Sequence, residues 1–120
     1  MAAAGIAFCP TEGDSYRRIE EDPVLAAHPI AQRFRARQAL IRAARRRLLA
    51  AGAPMLSGID AGVPTRPFGD YPRDLGALIG EDGLGLTPHQ ILVSATSGAA
   101  AILGLADTGA SVPLALGGVA

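Results

Sequence analysis

Asp60 is the residue in this chain best placed to do chemistry. It lies in the run Pro54 to Val63, Pro-Met-Leu-Ser-Gly-Ile-Asp-Ala-Gly-Val, where a short apolar stretch ends at a glycine and one carboxylate sits between small residues. If that stretch is a buried strand, the carboxylate lies where the strand leaves a sheet, an edge at which α/β enzymes place reacting groups. Such a carboxylate can bind a divalent cation, or act as a general base towards water. The same Gly-x-Asp-x-Gly pattern also makes an ordinary turn, because Asp hydrogen-bonds readily to nearby backbone. Spacing leaves both roles open.

A metal site needs further donors, and the sequence offers few. There are two histidines. His89 falls in the first turn of an expected helix, where it reads as a surface or capping residue. His28 precedes Pro29 in the connection after the first expected strand. It would share the sheet edge with Asp60 and line a pocket there, or else serve as an N-terminal helix residue. Cys9 is the single cysteine and has no base near it in sequence, so it reads as a small buried hydrophobe. Gly80-Glu81-Asp82-Gly83-Leu84-Gly85 superficially looks like a phosphate loop, but it follows no strand and carries two acids.

The elements that would position Asp60 follow from periodicity and punctuation. Gly5 to Cys9 is a short apolar run stopped by Pro10, which predicts a strand. Glu12 to Val24 is polar and predicts a loop with a helical turn at Tyr16 to Glu21. Pro29 to Ala51 is rich in Ala, Arg, Leu and Gln, begins with proline and ends at Gly52, which predicts a long helix. Ile30, Phe34, Ile41 and Leu48 form a stripe on that helix that should pack on something, with Arg37 falling inside it and Arg35, Arg42 and Arg46 opposite. Ala53 to Ile59 predicts a second strand. A helix from Asp70 or Tyr71 to about Gly80 follows, with Leu75, Leu78 and Ile79 inward. Thr87-Pro88-His89-Gln90 is a capping box opening a helix to about Ala95, and a last helix runs from Thr96 or Ser97 to Leu105. The order strand, long helix, strand, helices predicts a parallel α/β unit.

Composition narrows the function classes. The chain has 120 residues, 49% of them hydrophobic, which fits one core-seeking domain or part of one. Its 11 acids balance 11 basic residues. A net charge of zero argues against general affinity for nucleic acid or an anionic membrane. All the basic residues are arginine, and seven crowd between Arg33 and Arg47. That run reads as a solvated helix face, or alternatively as the surface of a small, non-catalytic α/β interaction module using helix 29–51. One cysteine and the lack of a signal-like start predict a cytoplasmic protein. Residues 83 to 106 carry no formal charge, yet Pro88, His89, Gln90, Ser94, Thr96 and Ser97 interrupt them, so no membrane span is expected.

Taken in order, Cys-Pro-Thr after a strand, a long helix, Ser-Gly-Ile-Asp-Ala-Gly-Val, and the segment from Gly85-Leu86-Thr87-Pro88 through Ala95-Thr96 to Leu103-Gly104-Leu105 resemble the metal-dependent amidohydrolases. The imidazolonepropionase and prolidase-like branch is the most similar, from about Ala3 to about Gly109. The resemblance implies the last two strand–helix units of a (β/α)8 TIM barrel plus C-terminal helices, with residues 110–120 an unrelated apolar tail. It implies hydrolysis of a C–N bond in an amide, cyclic amide or dipeptide-like small molecule. Asp60 would be metal ligand and general base, the metal a divalent cation such as zinc, and Thr11, Ala61 and Gly62 would shape the substrate pocket. Ile59 stands where the family has Thr. The family's His-x-His strand, its bridging Lys or carboxylate and its later histidines have no counterparts here, nor does its Pro-Gly-Lys-x-Ala-Asp-Leu return strand. The expectation is therefore a fragment, inactive alone and, with open sheet edges, prone to aggregate.

Overall fold

The computed structural model describes residues 2–11, 15–63 and 66–109. The expected apolar tail, 110–120, lies outside them, as do Glu12 to Asp14 of the first loop and Pro64 of the loop after Asp60. Among the described residues the chain is a set of helices joined by irregular segments. They are α1 (Ser15–Glu21), α2 (Pro23–Ala27), α3 (Pro29–Ala50), α4 (Tyr71–Gly76), α5 (Pro88–Ala95) and α6 (Ser97–Leu103).

The expected partial TIM barrel is not present. Instead of two paired strands, the described residues hold three isolated bridges, of which one, Phe8 with Met55, joins the two segments expected to be strands. That pairing is parallel. Phe8 N donates to Pro54 O at 3.0 Å and Leu56 N donates to Phe8 O at 3.2 Å. The ladder stops there for local reasons. Pro10 and Pro54 have no N–H to contribute. Farther along, Ser57 N donates to Ser94 O in α5 at 3.0 Å, and the Tyr71 hydroxyl donates to Ser57 O at 3.2 Å. Backbone groups that would have continued a sheet are satisfied by helix ends and a side chain, so among the described residues no sheet and no strand–helix units form.

Helix α3 conforms closely to its sequence. Pro29 occupies the first position, and His28 caps the helix by accepting from Ile30 N through Nδ1 at 3.2 Å. At the other end, Gly52 has φ 75. Gly52 N donates to Leu49 O and Ala53 N to Leu48 O, both at 2.9 Å, the paired bonds of a Schellman cap. The apolar stripe, however, does not pack as expected. Ala31 is the one buried residue of the helix, and Ile30 and Phe34 are 50% and 42% exposed. Only the last turn joins the core, through Leu49, because the sheet that would have covered the middle of the stripe does not form.

The core lies at that end. Leu78, Leu84 and Ile91 are buried together, with Leu49, Met55, Leu75, Ile79 and Leu86 packed around them. Helix α4 is shorter than expected, ending at Gly76, and Leu78 to Leu86 folds into a compact loop. Gly80 N donates to Leu86 O at 3.1 Å and Gly85 N returns to Gly80 O at 2.8 Å. Arg46 of α3 closes the loop from outside, donating from Nη2 to Glu81 O and to Gly83 O, the latter at 2.8 Å. Loop carbonyls thus point at a cation, which suits the rejection of a phosphate loop here.

A second polar anchor ties the first helices to α4. Arg18 of α1 reaches Asp70 at 2.6 Å and the fully buried Asp74 at 3.8 Å. Asp70 stands at the N-cap position as expected but makes no side-chain cap bond; it is drawn to Arg18 instead. The capping box of α5 forms as its sequence requires. Gln90 N donates to Thr87 Oγ1 at 3.2 Å, and Thr87 N donates to Gln90 Oε1 at 2.8 Å. Among the described residues no helix is long and apolar enough to cross a membrane.

Candidate functional site

Asp60 follows directly on the Phe8/Met55 pairing, at the point where the extended segment turns. It is the one described residue other than glycine with positive φ, at 55. Asp tolerates this left-handed conformation better than most residues, but it still costs energy, and such positions concentrate in turns and sites. The carboxylate is exposed, and no hydrogen bond or ion pair joins it to any other described residue.

The turn is held by its own backbone. Gly62 N donates to Arg66 O at 2.9 Å and Arg66 N donates to Val63 O at 2.8 Å. Gly62, with φ 110, supplies the bend. The Arg66 guanidinium folds back, Nη1 donating to Ile59 O at 2.8 Å. Residues 59 and 66 are thereby fixed to each other across the turn.

Asp60 and Arg66 open on a cavity of about 400 Å³ whose wall is otherwise mainly apolar, including Ile19, Leu25, Ile30 and Phe34. Thr11 also lines it. Thus Thr11 and Asp60, far apart in sequence, line one cavity because Phe8 and Met55 run side by side. The other expected pocket residues do not line it. Ala61 is half-buried and Gly62 exposed in the turn, while His28 is exposed and spends Nδ1 on the α3 cap. His89 is exposed on α5 and borders a separate, shallower hollow with Leu49, Met55 and Val93.

Arg66 and the apolar wall of Ile19 and Leu25 had no sequence signal. Arg66 sits in a Pro/Gly-rich loop with no periodicity, and Ile19 lies in a segment whose polar neighbours hide it. Cys9 lies close to the site without joining it. Its Sγ packs against Gly58 so closely that a Cβ there would lie 2.7 Å away. Cys9 is nevertheless exposed, not the small buried hydrophobe expected of it; partial desolvation raises the thiol's pKa above its ordinary value, and the charge of Arg45 lowers it in part.

The donor set does not by itself fit a catalytic metal. Among the described residues no three His, Cys, Asp or Glu side chains come together, and Asp60 is a single monodentate or bidentate donor. Alone, the site offers an unpaired base, a fixed cation and an apolar recess. No family model, curated protein or solved structure matches this chain.

Proposed function

We propose that this chain is the Asp60-bearing part of a metal-dependent amidohydrolase acting on C–N bonds of a small amide, cyclic amide or dipeptide-like substrate. The observation that carries this reading is the Asp60 carboxylate, held at positive φ and unpaired, on the rim of an apolar cavity. With no partner among the described residues, this carboxylate can accept a proton from water, and it has an adjoining recess for an apolar group. The Ser-Gly-Ile-Asp-Ala-Gly-Val resemblance supports the same assignment. Zinc or a similar cation would take Asp60 as one ligand, with its other donors supplied from outside this chain, since one carboxylate alone holds such a cation only weakly. The chain alone is inactive in this reading, and its single cysteine fits a cytoplasmic setting.

Paramagnetic Mn²⁺ added to the labelled protein tests the assignment. Broadening should be strongest at residues 59–63 and Thr11, and Asp60→Asn should remove it there. Broadening centred instead on Glu20 and Glu21, or on Glu81 and Asp82, would overturn it.

A second reading makes Asp60 a turn residue and the arginine-rich helix an interaction surface. It predicts a silent Asp60→Asn and strong effects at Arg35, Arg42 and Arg46. Two of those arginines already have internal work, Arg35 bonding Glu20 at 3.0 Å and Arg46 holding the 81–83 carbonyls. Their substitution would act on stability before it acted on any partner.

A further inference from the structure

We infer that the exposed ridge of α3 is a docking face for an acidic amphipathic helix. The inference does not depend on the chemistry of Asp60. Ile30, Phe34, Arg37 and Ile41 are spaced four, three and four residues apart, so they form one straight row along the helix. With Arg33 they enclose a hollow of about 340 Å³ between their side chains. Leu40, 72% exposed, stands beside it.

Two features say what covers this hollow. The first is shape. A row at these spacings is the ridge that another helix accepts between its own side chains. An extended segment would leave its backbone N–H and C=O groups facing a helix surface that cannot bond them. The second is charge. Arg35 is engaged with Glu20, and Arg46 with loop carbonyls. Arg37, within the row, and Arg33, beside it, in contrast make no hydrogen bond or ion pair with any described residue. Apolar knobs interspersed with cations that have no partner among the described residues fit a helix with leucine-like residues on one face and carboxylates beside them. Arg37, which falls within the stripe of a helix expected to be buried, then has a reason to be there.

The docked helix would also border the Asp60 cavity, since Ile30 and Phe34 belong to both surfaces.

The test uses fluorescence anisotropy with a labelled synthetic helical peptide carrying leucines at the complementary spacing and glutamates on both rims. The control peptide has lysine in place of each glutamate. The acidic peptide should bind about tenfold or more tightly than the control, as two rim charge pairs allow. The double variant Arg33→Glu/Arg37→Glu should abolish or reverse that preference, and Phe34→Ser should weaken both peptides while leaving the circular dichroism unchanged. Three results would overturn the inference. They are equal affinity for the two peptides, binding that survives both variants, and a face occupied by something else. The last would appear as dimerisation that Phe34→Ser abolishes, or as anionic vesicles displacing the acidic peptide at similar surface charge.

Discussion

The Arg18–Asp74 contact offers the sharpest quantitative prediction about the fold. Asp74 is fully buried, its Oδ1 lies 3.8 Å from Arg18 Nη2, and Arg18 retains 11% side-chain exposure. At that distance, with an effective dielectric near 20, two unit charges attract by about 4 kcal/mol. The desolvation already spent on both groups makes removal of one partner costly, about 3–5 kcal/mol for buried pairs. Because Arg18 keeps some contact with water and with Asp70, Asp74→Ala should fall at the lower end, about 3 kcal/mol. Arg18→Met should cost slightly more, since it also breaks the 2.6 Å contact to the half-buried Asp70. The double variant should lose less than the sum of the two, with a coupling of about 2 kcal/mol, because it leaves no orphaned charge opposite a buried one. Urea unfolding followed at 222 nm, with all four proteins measured together, gives each term from the midpoint and slope. Only seven hydrophobic residues among those described are buried, so total stability should be at the low end of the usual ~5–15 kcal/mol and the single variants close to unfolded. A midpoint for Asp74→Ala within about 0.5 kcal/mol of the parent, or strictly additive single effects, would refute the reasoning.

Two further outcomes are expected. Thr87→Ala removes the Thr87 Oγ1 half of the α5 capping box, leaving the bond from the residue 87 N–H to Gln90 Oε1, and should cost about 1 kcal/mol, read as a lower thermal midpoint; replacement by Ser should restore most of it. Cys9 should alkylate more slowly than a free thiol near neutral pH, because partial desolvation holds its proton more tightly, and Arg45→Ala should slow it further. Since the folded state keeps that proton over the interval between the ordinary and the raised thiol pKa, folding stability should be full below that interval and decline as pH rises through it.

The sequence was most readable where local chemistry alone decides the outcome. Pro29 and Gly52 bracket α3 within a residue, and Thr87 and Gln90 announce α5, because caps and left-handed glycines act on their immediate neighbours. The Asp22-Pro23 start of α2 carried the same kind of signal, with Asp22 accepting from Val24 and Leu25, yet the loop around it obscured the helix. What could not be read was pairing at a distance. Gly5 to Cys9 and Ala53 to Ile59 have strand-like composition, but a strand exists only where a partner continues the ladder, and here Ser94 and Tyr71 take the groups a neighbour would need. The sharing of one cavity by Thr11 and Asp60 depends on that same single pairing, and Arg66 enters the cavity through a turn whose geometry no periodicity encodes.

Helix α3 also sets a distance. Its first turns wall the recess at Asp60 and its last turn enters the Leu78 cluster, while the residues between are largely bare. At 1.5 Å per residue its 22 residues form a strut about 33 Å long. Such a strut transmits push and twist between its ends only while it stays straight, so a proline at Ala39, midway along it, would let the two ends swing independently with neither end's own contacts altered.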